Sequence, residues 1–316
     1  MRALVTGATG FLGTWISNEL GKLGHKVVRL VRDRTFVESG ILNRAFGMTD
    51  AFGDVLDLEF IERVIAEYEI NTVFHLAAQS QVSTGQADPT GTLDINIRGT
   101  WNVLEASRRQ KVGRVIVASS DKSYGEAPDL PYTESHALRG GSPYETSKAC
   151  ADLLAQSYAS TYGMSIAITR CANLYGGGHL NWSTLIPGTI KRLWDGIPPV
   201  VYGGGEMTRE FLYIEDAVSA YLTLAESREV GAFNFGGGEP TKVIDIVRML
   251  IDIMATRVQP DIRQGQRIEI RDQSLSSLKA HSVLDWSPKW SMADGLKETV
   301  RWYVEWLVGQ GNRIVV

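Results

Sequence analysis

The chain has 316 residues, 44% of them hydrophobic and 22% charged, with a formal net charge of −4. This composition is that of a soluble globular protein, long enough for one large domain or two modest ones with a sizeable core. Lys and Arg are scattered, which argues against a nucleic-acid or anionic-membrane surface. No apolar run approaches the roughly 18 residues needed to span a bilayer. The first strand begins near residue 2, which leaves no room for a leader, so a cytoplasmic protein is expected. Cys150 and Cys171 sit among apolar neighbours without metal-ligand spacing; they read as buried reduced thiols, and no metal site is expected.

Residues 2–6 read as a short strand running into Gly7-Ala8-Thr9-Gly10-Phe11-Leu12-Gly13, with a helix over 14–23. Glycines at this spacing let the chain turn tightly, approach a pyrophosphate and pack the helix on the sheet. The start of such a helix attracts phosphate. A second strand covers 26–31. An acid at its end would hold an adenosine ribose. Here Val31 is followed by Arg32, which suits a 2′-phosphate, and then Asp33, which keeps NAD open. Asp54 and Val55 follow a short third strand and are placed near the adenine. The fourth strand, 72–76, leads into Ala77-Ala78-Gln79, where small residues let a cofactor pass over the backbone. His75 reads as a packed strand histidine rather than a catalyst.

Helices are expected over 92–110 and 142–162, with a fifth strand at 115–118 between them and a sixth at 165–169. This alternation predicts a doubly wound parallel sheet, with ligands outside the carboxyl ends of its strands. The fifth strand runs into Ser119-Ser120-Asp121-Lys122-Ser123-Tyr124, and the second helix opens with Tyr144-Glu145-Thr146-Ser147-Lys148. Residues four apart share a helix face, so Lys148 lies beside Tyr144. A nearby ammonium favours the phenolate and lowers a tyrosine's pKa towards working pH. Tyr144 is thereby a candidate general base for a sugar or alcohol hydroxyl, and Ser120 a candidate to hold the same oxygen.

Past Tyr175 the chain becomes rich in Gly and Pro, as expected of a substrate-capping region. A helix ending near 226 and a strand at 231–235 are expected to return to the first sheet. The expected division is therefore a dinucleotide-binding domain over 1–175, joined by 209–236, and a smaller domain of 176–208 and 237–316. The latter should hold helices near 243–255 and 292–307 and a strand near 268–270.

Taken together, the motifs resemble the extended short-chain dehydrogenase/reductases of the nucleotide-sugar epimerase/dehydratase family. They are Gly7 to Gly13, His75 to Ala78, Asn96 within Asn-Ile-Arg-Gly-Thr, the Ser-Ser motif, Tyr144 with Lys148, Arg170 to Gly176, Arg209 to Asp216, and Leu284-Asp285-Trp286. The resemblance covers essentially the whole chain. It departs at Gly177, where the family commonly has proline, and at Asp285, where glycine is usual. It implies a Rossmann domain holding NAD(P)+, tightly bound and regenerated, and a second domain holding a nucleoside-diphosphate sugar. Ser120, Tyr144 and Lys148 would be the catalytic trio. Ser119 and Asn96 would join the cofactor site. Asn173 and Arg209 would contact the diphosphate, since a guanidinium pairs phosphate oxygens bidentately. Gln79, Asn181, Leu185, Tyr202 and Arg271 would complete the sugar-nucleotide contacts. The family also implies a homodimer through the two long helices, which carry Trp101, Val103, Leu104, Leu153, Leu154 and Tyr158.

Within that family, Ser-Asp-Lys-x-Tyr looks like the CDP-glucose 4,6-dehydratases. The expected activity is a nucleotide-sugar 4,6-dehydratase in which Asp121 protonates the departing C6 hydroxyl. Lys122, or a group it organises, assists removal of the C5 proton. A sugar 4-epimerase using the same Tyr144 is the alternative. A non-catalytic NADP-sensing protein on this fold is a third reading, against which the Tyr-Lys pair weighs.

Overall fold

The computed structural model describes residues 1–33, 47–127, 129–264 and 270–310. The strand expected near 268–270 falls largely outside the described residues. The chain forms two compact units: Met1–Cys171 with Ala217–Phe235 and Ser276–Ser287, and Ala172–Asp216 with Gly236–Leu275 and Pro288–Val316.

The first unit is built on a parallel sheet. Its elements in order are β1 (Arg2–Thr6), α1 (Phe11–Lys22), β2 (Lys26–Val31), β3 (Met48–Phe52), α2 (Leu58–Glu67) and β4 (Thr72–His75). Then come α3 (Val82–Ala87), α4 (Pro89–Leu93), a π-helical turn at Asp94–Arg98, α5 (Gly99–Arg109), β5 (Arg114–Ala118), α6 (Pro143–Tyr162) and β6 (Ile166–Cys171). The strand Gly231–Phe235 pairs with β6 and completes seven strands, followed in space by β5, β4, β1, β2 and β3. Ala3, Leu4 and Val5 of β1, Val115 to Val117 of β5 and Ile166 to Ile168 of β6 are fully buried. Such continuous apolar runs mark strands covered on both faces. The strand order reverses between β1 and β4, so their carboxyl ends flank the crevice where a doubly wound sheet receives a dinucleotide.

Caps fix the helix starts. The Asp57 carboxylate accepts the Phe60 amide at 2.9 Å ahead of α2. Ser142 and Glu145 form a reciprocal capping box at α6, with Pro143 at the first helical position and Gly163 ending the helix at φ +64°. A cap of this kind contributes about 1 kcal/mol. The expected single helix over 92–110 is α4 and α5 joined by the π turn, whose extra residue turns Asn96 inward. Asp285 takes φ +52° after the helix Leu278–Leu284, which explains why glycine suits that position and why an aspartate, among the side chains more tolerant of this region, can stand there.

In the second unit, Asn173–Tyr175 pairs with Phe211–Tyr213, Thr208–Arg209 with Thr241–Lys242, and Val200–Tyr202 with Asp261–Arg263. Asn173–Tyr175 therefore belongs to a separate two-stranded sheet rather than extending the large one. The helices Leu185–Trp194 and Val243–Ile253 contribute Leu185, Ile244 and Val247 to a small core around Val201. A carbon on Gly177 would lie 2.4 Å from the Trp302 ring, so the indole fills the space that a proline would need.

Candidate active site

The glycine loop closes on the carboxyl end of β4. Gly7 has φ +66°, and a Cβ there would lie 2.7 Å from the Ala77 amide nitrogen. A Cβ on Gly13 would lie 2.1 Å from the Gly7 carbonyl oxygen, so this glycine lets α1 meet the loop. Gly10 is exposed at the N-cap of α1 and offers no side chain to cover the helix start. Thr9, Phe11 and Leu12 complete the turn. The Thr6 hydroxyl ties both strand ends together, accepting the Leu76 and Ala77 amides at 3.1 Å each. With both acceptor positions taken, it donates to His75 Nδ1 at 2.9 Å. His75 Nε2 then donates to Thr100, which itself donates to the Asn96 carbonyl. Burial, and then the charge of Lys148, push the imidazole down to about 3. His75 is a neutral, fully bonded core residue, as expected.

These features fit a dinucleotide: a cradle without side chains, a helix start aimed along it, and small residues opposite. Arg32 and Asp33 are exposed just past β2. Asp54 accepts the Leu56 amide, and Val55 is buried against Gly99. Asn96 directs its amide inward. Its oxygen accepts the Gln79 amide, and its NH2 donates to the Gln79 carbonyl and to Ser147. It thus ties the segment after β4 to α6. The Gln79 side chain bonds both backbone groups of Gln81.

Ser120 is the N-cap of a short 3₁₀ turn, Asp121–Tyr124, at the end of β5. Its hydroxyl donates to Asp121 Oδ1 at 3.0 Å and is hydrogen-bonded to the Tyr144 hydroxyl. Ser119 is buried just before it. The Asp121 carboxyl is buried, and its Oδ2 has no hydrogen-bond partner among the described residues. Lys122 Nζ lies 3.9 Å from Oδ1. Lys148 is buried on the face of α6 that carries Tyr144 and donates to the Ala118 carbonyl at the end of β5. The structure thus brings Ser120, Asp121, Tyr144 and Lys148 together.

One expectation is corrected. Tyr144 is pushed up to about 12, not down. Burial dominates; the Ser120 hydrogen bond lowers it, while the charges of Asp121 and Glu145 raise it further. Burial likewise lowers Lys148 to about 8, opposed by Asp152. The pair is poised by a shared desolvation that helical spacing does not reveal.

Within the second unit, Arg209 is buried and donates to the Thr208 and Arg271 carbonyls at 2.8 Å each. Asn173 donates its side-chain and backbone N–H to the Glu210 carbonyl. The Glu210 carboxylate holds the Gly238 and Leu275 amides. Asn173, Arg209 and Arg271 are therefore knit together. Asn181 closes a local turn with Ser183, Leu185 packs into the small core, and Tyr202 ends the strand beside Asp261–Arg263. Sequence reasoning passed over Glu210. A carboxylate that knots three backbone segments leaves no local signal.

The chain belongs to the NAD dependent epimerase/dehydratase family, whose model matches residues 3–236. It is 31% identical to a dTDP-glucose 4,6-dehydratase of an Actinoplanes strain, covering 96% of this chain and 98% of the relative. It is similar to the solved dTDP-glucose 4,6-dehydratase of Streptomyces venezuelae with NAD bound, with TM-score 0.89, 29% identity and 98% of each chain covered. It is as similar to the Thermotoga maritima UDP-glucose 4-epimerase with UDP-glucose, with TM-score 0.91, 28% identity, and 97% of this chain and 100% of that one covered. No helix among the described residues is long and apolar enough to cross a membrane.

Proposed function

We propose that the chain is a NAD-dependent nucleotide-sugar 4,6-dehydratase, which converts a nucleoside-diphosphate hexose into its 4-keto-6-deoxy form and water. The observation that carries this reading is the Asp121 carboxyl. It is buried, joined through Ser120 to Tyr144, and keeps one oxygen without a protein partner among the described residues. An epimerase has no need of an acid there.

When bound, NAD supplies a hydride acceptor for C4, a hydride donor for C6 and a positive charge. Tyr144 takes the C4 hydroxyl proton, and Ser120 holds that oxygen. Lys148 anchors the tyrosine's helix to the end of β5. The resulting 4-keto group makes the C5 proton acidic. Lys122, or a group it organises, removes that proton while Asp121 delivers its own to the departing C6 hydroxyl, which leaves as water. Reduction at C6 and reprotonation at C5 complete the product. Arg209 and Asn173 are assigned to the diphosphate, with Arg271, Asn181, Leu185, Tyr202 and Gln79 as further candidate contacts.

The Asp121-Lys122 pair favours CDP-glucose, whereas the relatives favour dTDP-glucose. The NAD-loaded protein is therefore tested with CDP-, dTDP- and UDP-glucose by mass spectrometry. A product one water lighter is expected from at least one of them. Products of unchanged mass would make the chain an epimerase, the reading that the likeness to the UDP-glucose 4-epimerase favours.

Arg32, exposed at the end of β2, is assigned to tolerance of a 2′-phosphate. Arg32→Ala should weaken NADP more than NAD. Equal losses by calorimetry would remove Arg32 from that role.

We also propose a homodimer through α5 and α6. Trp101 is 43% exposed and Leu153 54%, whereas Val103 and Leu104 face the core and Leu154 and Tyr158 pack against it. Closed two-fold dimers are the commonest oligomer. Light scattering should give twice the chain mass at micromolar concentration, and Leu153→Glu should return it to monomer. A wild type that is monomeric at that concentration contradicts the assignment.

A further inference from the structure

Two pieces of the first unit hold the candidate catalytic groups: the turn after β5, with Ser120 and Asp121, and α6, with Tyr144 and Lys148. Their spacing must be held to a fraction of an ångström. A buried cluster that the reaction does not use joins the same two pieces. Asp152 lies one further step along the face of α6 that carries Tyr144 and Lys148, and it is fully buried. Arg170 of β6 grips it through both oxygens, with Nε and Nη2 at 2.8 and 2.9 Å. The remaining nitrogen, Nη1, donates to the Tyr124 hydroxyl at 2.8 Å and to the Glu134 carbonyl at 3.1 Å. Its guanidinium carbon also lies 4.9 Å from the centre of the Tyr124 ring.

Tyr124 closes the 3₁₀ turn that Ser120 opens, and it is fully buried. Its hydroxyl donates to Asn234 Oδ1 at 2.7 Å, and its ring stacks on Tyr132 at 4.9 Å. Asn234 is held in turn by the Glu134 carboxylate and the Tyr132 carbonyl. Burial keeps the Tyr124 hydroxyl protonated, pushing it up to about 12. Burial alone would lower Arg170, but the bonds and charge of Asp152 outweigh it and keep it charged. Every polar atom along this path has a partner, so the geometry is fixed by fork and ring together.

We infer that Arg170, clamped by Asp152 and holding the Tyr124 hydroxyl, is a positioning residue that sets the distance between Ser120–Asp121 and Tyr144–Lys148. The inference rests on the proposed roles of those four groups. A mere stabilising ion pair would need only Asp152 and Arg170. The third arm, to a hydroxyl in the catalytic turn, is what a stability role leaves unexplained. A misplacement of about 1 Å at a reacting group can cost roughly a hundredfold in rate.

The test uses Tyr124→Phe, which removes one hydroxyl and keeps the stacked ring, with Arg170→Lys as a second variant that keeps the charge and loses the fork. In the NAD-loaded full chain, with whichever of CDP-, dTDP- and UDP-glucose the wild type turns over, kcat should fall by roughly 10- to 100-fold. KM and the NAD dissociation constant should stay within a few-fold. Hydrogen exchange should quicken at the amides of 119–125 and stay unchanged in β1. A folded Tyr124→Phe with wild-type kcat overturns the inference. So does a loss of activity that only follows a loss of folded protein. If the wild type turns over none of the three, the functional reading falls by itself, and exchange alone decides: unchanged protection at 119–125 overturns the brace, and faster exchange confined there supports it.

Discussion

Replacing Tyr144 by Phe should lower kcat by roughly two to four orders of magnitude while leaving NAD affinity within a few-fold, because a positioned proton-transfer group contributes about that much. The phenol is 8% exposed and pushed up to about 12. Ionising it unaided at pH 7 would cost on the order of 7 kcal/mol. That cost already includes the hydrogen bond with Ser120, which lowers it. Lys148 sits beside it on the helix, but its ammonium is directed at the Ala118 carbonyl. NAD would bring a positive charge when bound, so the base is expected to form in the loaded enzyme. Phe keeps the buried ring and loses only the proton carrier. Steady-state kinetics with calorimetry of NAD binding checks this. Turnover of Tyr144→Phe within a few-fold of wild type would remove Tyr144 from the mechanism.

Asp121→Asn should separate the two halves of the reaction. On the proposed roles, oxidation at C4 needs Tyr144, Lys148 and Ser120. Elimination across C5 and C6 also needs a proton for the departing hydroxyl, which an amide cannot deliver. The change is nearly isosteric, and the amide oxygen can still accept the Ser120 hydroxyl now 3.0 Å from Oδ1. The variant, loaded with NAD and given the substrate identified by the nucleotide-sugar panel, should still gain absorbance at the reduced-nicotinamide band. Release of the 4-keto-6-deoxy product should slow by roughly two to four orders of magnitude. Release at the wild-type rate would remove Asp121 from the elimination, and with it the main ground for preferring a dehydratase.

The sheet and the cofactor cradle were legible because their signals are local. Gly7 and Gly13 mark close backbone contacts, and the runs around Val5, Val117 and Ile168 mark strands buried on both faces. Tyr144 and Lys148 were legible as neighbours because helical spacing fixes them. Their titration was not, since burial, the largest influence on each, is set by tertiary packing. Asn96 shows the same limit. Its motif is visible in the chain, but only the π turn shows that its amide reaches Gln79 and Ser147. The brace of Asp152, Arg170 and Tyr124 joins three elements distant in sequence, with no spacing to betray it. In the second unit, strands of two or three residues such as Thr208–Arg209 are too short for any periodicity.

The central claim is that one chain oxidises C4, eliminates water across C5 and C6, and reduces C6 without net use of its cofactor. It is tested most directly by giving the NAD-loaded protein its nucleotide hexose with deuterium at C4. The account predicts a product one water lighter than its substrate, with the deuterium at C6 and no consumption of added NAD. Deuterium retained at C4 in a product of unchanged mass would contradict it.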